Sequence, residues 1–107
     1  MSDDIRTMPF IKAISVDEVK PGHSKVVSVN GKELAIFNIH GKFFAADNAC
    51  PHEGGPLGEG DIEENIVVCP WHGWRFNIED GKSLTVPGKA AKTYKVKVKG
   101  NDIFVDV

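Results

Sequence analysis

Cysteine is scarce in this 107-residue chain, which has only Cys50 and Cys69. A framework of several disulfides is therefore excluded, and a lone pair in a chain without an export signal is more often reduced, metal-binding or reactive than bridged. Long apolar runs are missing too. No stretch approaches the roughly 18 residues of a membrane span, and Met1-Ser2-Asp3-Asp4 opens the chain with two acids instead of a signal-like apolar core. The expectation is a soluble, cytoplasmic protein with no membrane partner, monomeric when isolated. Positive charge is not in excess either: a net charge of −2 lacks the footprint of a nucleic-acid binder. Sustained helical periodicity is also absent. Ser15-Val16-Asp17-Glu18 fits a capping box, but Pro21-Gly22 stops anything it starts after about one turn.

What is present is a β pattern. With 41% hydrophobic and 26% charged residues, the chain has the composition of one ordinary domain spanning residues 1–107. Residues 25–29 and 33–39 flank Asn30-Gly31, a strong hairpin signal, and His40-Gly41 turns the chain into 42–46, which predicts a three-stranded meander. Near the other end, Tyr94, Val96 and Val98 alternate with Lys95, Lys97 and Lys99, the period of a strand with one buried face. Gly100-Asn101 leads into a last strand at 103–107. The segment between these ends is different. Residues 48–60 hold Pro51, Pro56 and four glycines, too many breakers for a regular element, followed by a short apolar strand at 65–68.

Both cysteines and two of the four histidines fall in that irregular insertion, while His23 and His40 sit beside turn glycines and read as exposed turn residues. Between Ala46 and Gly81 eight acids stand against one base, Arg75; the rest of the chain has twelve bases and seven acids. One end of the molecule is thus expected to be acidic and to suit a partner with a basic rim. Within the insertion, Cys50-Pro51-His52 is followed, after sixteen residues, by Cys69-Pro70-Trp71-His72. Each half supplies one thiolate and one imidazole, a donor set that suits zinc or an iron-sulfur centre and is wrong for calcium or magnesium. Zinc spacings usually put the cysteines in one half and the histidines in the other.

Two stretches carry a family resemblance. Cys50-Pro51-His52-Glu53-Gly54-Gly55-Pro56-Leu57 and Cys69-Pro70-Trp71-His72-Gly73-Trp74-Arg75-Phe76 resemble the two cluster loops of Rieske proteins, and Val86-Pro87-Gly88 sits where that family has a third, proline-bearing loop. The resemblance implies an all-β fold of stacked antiparallel sheets, with a base at 8–46 and 78–107 and an inserted, loop-rich cluster-binding subdomain at 47–77. It implies one Rieske-type 2Fe-2S cluster, with Cys50 and Cys69 on one iron and His52 and His72 on the other. Two thiolates neutralise the doubly charged oxidised core, so an added electron meets less negative charge than in an all-cysteine cluster, and the potential rises. Respiratory members have a serine after the second His-Gly, a tyrosine two residues later and a disulfide between the loops. The matching positions here are Trp74, Phe76, and the pair Gly55 and Trp71, which implies a potential near the roughly −150 mV end of the Rieske range.

Two kinds of role follow from the resemblance. One is a ferredoxin component that takes single electrons from a flavin reductase to a terminal oxygenase. The other is an enzyme part, either the cluster domain of an oxygenase subunit or a small subunit of a nitrite-reductase-type complex, and the stretch from Cys69 to Phe76 resembles those versions more than many ferredoxin ones. No substrate turnover is expected from the chain alone, since about thirty residues beyond Phe76 leave no room for a two-histidine, one-carboxylate iron domain.

Overall fold

The computed structural model describes residues 10–50, 54–71 and 73–107. Among these residues ten strands run in chain order: β1 (Phe10–Ser15), β2 (Ser24–Val29), β3 (Lys32–Ile39), β4 (Lys42–Asp47), β5 (Asp61–Glu63), β6 (Ile66–Val68), β7 (Arg75–Asn77), β8 (Thr93–Tyr94), β9 (Val96–Lys99) and β10 (Asp102–Asp106). They form three antiparallel sheets, ordered β1-β10-β9, β2-β3-β4-β8 and β5-β6-β7. The only helical pieces among the described residues are single 3-10 turns at Val16–Glu18 and Leu57–Glu59.

The meander forms because its turn residues accept left-handed backbone. Asn30 and Gly31 have φ of 54° and 82°, and His40 and Gly41 have 54° and 90°, the paired positive values that a tight two-residue hairpin requires. Between the turns lies a strand covered on both faces. Leu34 and Ile36 of β3 pack into a core with Ile14, Val19, Val29, Ala45, Ile103 and Val105. Ala35 and Phe37, pointing the opposite way, enter a second core that contains Cys50, Leu57, Val67, Cys69, Phe76 and Ile78. An unbroken apolar run, without alternation, is what such a two-sided position demands.

Two local expectations change. Ser15 makes no side-chain cap; the turn closes instead through the Val19 N–H to Val16 O bond at 3.2 Å. The alternating stretch from Tyr94 is two strands and not one. Tyr94 pairs with Ala45 of β4, while Val96–Lys99 belongs to another sheet and pairs only with β10. As an edge strand, β9 has neighbours on one side only, so Val98 stays 45% exposed despite its place in the pattern.

Candidate metal centre

The two cysteine loops are built on one backbone frame. In loop 1 the Cys50 N–H donates to Gly55 O at 2.9 Å and the Gly54 N–H donates to Cys50 O at 2.7 Å. In loop 2 the Cys69 N–H donates to Trp74 O at 2.8 Å and the Gly73 N–H donates to Cys69 O at 3.0 Å. Gly54 and Gly73, each four residues after its cysteine, take φ of 79° and 73°, a conformation that glycine adopts without steric cost. The shared frame buries both thiols in the same core, at 3% and 2% exposure, and no disulfide joins them.

Gly55 brings the loops together. A Cβ built on it would lie 2.9 Å from Cγ of Trp71 and 3.0 Å from Sγ of Cys69. The two positions that respiratory relatives are expected to bridge covalently thus touch here through a bare backbone and an indole. Loop 1 is also tied to the scaffold: the Gly58 N–H donates to Asn48 Oδ1 at 2.7 Å and Ser24 Oγ donates to Gly58 O at 2.6 Å. Loop 2 stands instead on packed rings. Phe76 is 1% exposed, and Trp74 lies beside it with centroids 6.3 Å apart. The third loop is held to the strand after loop 2, because the Leu84 N–H donates to Arg75 O at 2.7 Å and the Arg75 N–H to Thr85 Oγ1 at 2.9 Å.

Of the four expected ligands, Cys50 and Cys69 are brought together, while His52 and His72 lie outside the described residues. Among the described residues no group of three His, Cys, Asp or Glu side chains is disposed to hold a metal ion. His23 and His40 are exposed, as turn residues should be. The two buried thiols, on loops of matching geometry in an apolar surround, fit half of a mixed thiolate and imidazole donor set for a soft metal centre.

Several contributors were not evident in the sequence. Asn48 is buried and links the scaffold to loop 1; its only outward signal is its place two residues before Cys50. The Tyr94 hydroxyl donates to Asp47 Oδ1 at 2.6 Å. Burial, then this bond and the Asp47 charge, push the Tyr94 pKa up to about 12. Lys32 and Lys92 place their ammonium groups 5.6 Å and 5.3 Å from the Tyr94 ring centroid. Among the described residues the acids of the insertion are divided: Asp47 lies in a groove with Gly54, Pro56 and Trp71. Glu63 pairs with Arg75 at 3.3 Å, and Glu64, Glu79 and Asp80 lie beyond the ends of β5 and β7 that face away from Cys69.

A model of the Rieske [2Fe-2S] domain matches residues 10–100. The chain belongs to the Rieske [2Fe-2S] family. It is 39% identical to the biphenyl dioxygenase ferredoxin subunit of Pseudomonas sp. (strain KKS102), over 92% of this chain and 93% of the relative. Its fold matches the ferredoxin of Sphingomonas yanoikuyae B1 with a TM-score of 0.85 at 30% identity, covering 92% of this chain and 98% of that one. A second match, with a TM-score of 0.83 at 26% identity, covers 91% of this chain and 92% of a chain in the complex of reduced oxygenase and oxidized ferredoxin of carbazole 1,9a-dioxygenase. The Rieske assignment carries its [2Fe-2S] cofactor with it and removes the structural-zinc alternative. This Rieske protein is an electron carrier of the ferredoxin type.

Proposed function

We propose that the protein is the cytoplasmic ferredoxin component of an aromatic-ring dioxygenase system, taking single electrons from a flavin reductase to a terminal oxygenase. The observation that carries this reading is the pair of buried thiols on two loops of one hydrogen-bonded frame, in a chain that aligns over nearly its whole length with a dioxygenase ferredoxin. Cys50 and Cys69 hold one iron and His52 and His72 the other. When bound, the cluster supplies a reversible one-electron couple. The division into a base at 8–46 and 78–107 and a cluster-binding subdomain at 47–77 belongs to the same reading; a core whose buried residues lie at 14–45 and 103–105 supports it.

The chain's own residues do the rest. The backbone frame sets where each thiolate points, and Phe76, Leu57 and Val67 exclude water from around them. Excluding water lowers the local dielectric, and hydrogen bonds to the sulfurs tune the potential further. Trp74 and Phe76 supply no hydroxyl for such bonds, so the midpoint potential is expected near about −150 mV. Anaerobically prepared protein should contain iron and inorganic sulfide in equal amounts, and a redox titration should locate the couple. A value above about +100 mV contradicts the tuning argument. Zinc in place of iron and sulfide contradicts the function. His52→Cys should lower the potential or abolish assembly; an unaltered spectrum in that variant removes His52 from the ligand set.

A further inference from the structure

Of the three aromatic residues in and just after loop 2, Phe76 is buried and Trp74 packs beside it. Trp71 is different. Its indole is 56% exposed, at the end of the molecule that carries both cysteines. Nor is it loose, because it lies on the backbone of Gly55 with no side chain between. The indole also walls a groove of about 570 Å³, lined across from it by Lys32, Glu33, Asp47 and Asn48 of the scaffold and by Pro56 of loop 1.

Charge in this groove is unevenly engaged. The Glu33 carboxylate has only a long 3.5 Å contact from Asn48 Nδ2, and Asp47 accepts the Tyr94 hydroxyl. Among the described residues neither carboxylate makes an ion pair. Lys32, the one cation of the lining among the described residues, turns its ammonium toward the Tyr94 ring. An indole wall beside two carboxylates without ion pairs is the chemistry that holds a cation: the ring face attracts it and the carboxylates accept its N–H groups. Tryptophan is also among the residues most enriched at the energetic centres of interfaces.

We infer that this groove receives a cationic side chain of the redox partner, with Trp71 as the stacking wall and Glu33 and Asp47 as counter-charges. The inference rests on the carrier reading above and deepens it by naming the partner's chemistry. The partner that fits presents a basic residue beside its own redox centre. Docking there brings that centre against loop 2.

The test uses the holoprotein, reduced with dithionite and mixed in a stopped-flow instrument with cytochrome c, a basic one-electron acceptor, as the probe. The wild-type rate should fall as ionic strength rises. Glu33→Gln and Trp71→Ala should each lower the low-salt rate roughly threefold to tenfold. Trp71→Phe keeps an aromatic wall and should stay close to wild type; Glu79→Gln removes the same charge at the far end of β7 and should change nothing. Midpoint potentials and electron paramagnetic resonance spectra matching the wild type establish that the cluster is intact in each variant. If Glu33→Gln and Trp71→Ala react as fast as the wild type, or if Glu79→Gln slows the reaction equally, the groove inference is overturned while the carrier reading stands. If the wild type has no reversible one-electron couple, the carrier reading falls as well.

Discussion

Loop 1 hangs from the scaffold by hydrogen bonds through Asn48, Gly58 and Ser24, whereas loop 2 stands on packed side chains, with Phe76 and Trp74 beneath it. Their internal frames are nevertheless the same, a donor bond to the fifth residue and an acceptor bond from the fourth. The difference teaches that local backbone geometry sets the direction of each cysteine, while the support beneath each loop sets how it fails. Loop 1 is vulnerable to losing one acceptor. Loop 2 is vulnerable to losing volume.

The largest effect should come from the packed side. Phe76→Ala empties a fully buried site and should cost about 3–5 kcal/mol in urea denaturation, a large share of a small domain's roughly 5–15 kcal/mol. Next is the contact between the loops. Gly55→Ala drives a methyl into Trp71 and Cys69 and should cost about 1–3 kcal/mol, with a changed or lost cluster resonance signal. Gly54→Ala, one residue earlier, meets nothing within 4 Å but keeps a φ of 79°, so it should cost about 1–2 kcal/mol of backbone strain and leave the spectrum alone. That pair separates crowding from strain. If both variants lose the cluster equally, the contact through Gly55 is not what aligns the loops.

On the hydrogen-bonded side, Asn48→Ala strands the Gly58 N–H inside the protein and should cost about 1–3 kcal/mol, read as a lowered thermal midpoint. The smallest effect concerns Tyr94, whose pKa rises to about 12 in the fold from 10.0. A raised value means that folding favours the protonated, donating hydroxyl. This contribution is therefore complete below pH 10 and fades as the pH climbs from 10 toward 12. Denaturation of the wild type and Tyr94→Phe across that range should show their difference shrinking as pH rises; a constant difference shows that the Asp47 bond does not stabilise the fold.

Much of this was legible in the residues, for definite reasons. Asn30-Gly31 and His40-Gly41 declare their hairpins because left-handed backbone restricts the choice of residue. The Cys-x-His and Cys-x-x-His pairs declare the metal chemistry, because donor type and spacing are local properties. The missing strands lacked such a signal. In β1 the apolar alternation is broken by a register shift between Lys12 and Ile14, which leaves Ala13 out of step. Strands β5, β7 and β8 have only two or three residues and exist because a partner strand is already in place. Tyr94 to Lys99 looked like one strand because period-two patterning does not reveal that a chain changes sheets. The acidic count over the insertion was correct as a sum, but a count does not place charge: Asp47 lines the groove beside Trp71, whereas Glu64, Glu79 and Asp80 lie toward the far end of the third sheet.

Strand β3 contributes alternate side chains to both cores, Leu34 and Ile36 to one, Ala35 and Phe37 to the other. The two halves therefore cannot melt separately: freeing either face of β3 strips the opposite face of its neighbours, which makes unfolding a single cooperative event. Bleaching of the bound chromophore and loss of β-sheet dichroism should then trace one curve with a shared midpoint. The loops that carry Cys50 and Cys69, which share a core with Ala35 and Phe37, are then expected to be lost together with the rest of the fold.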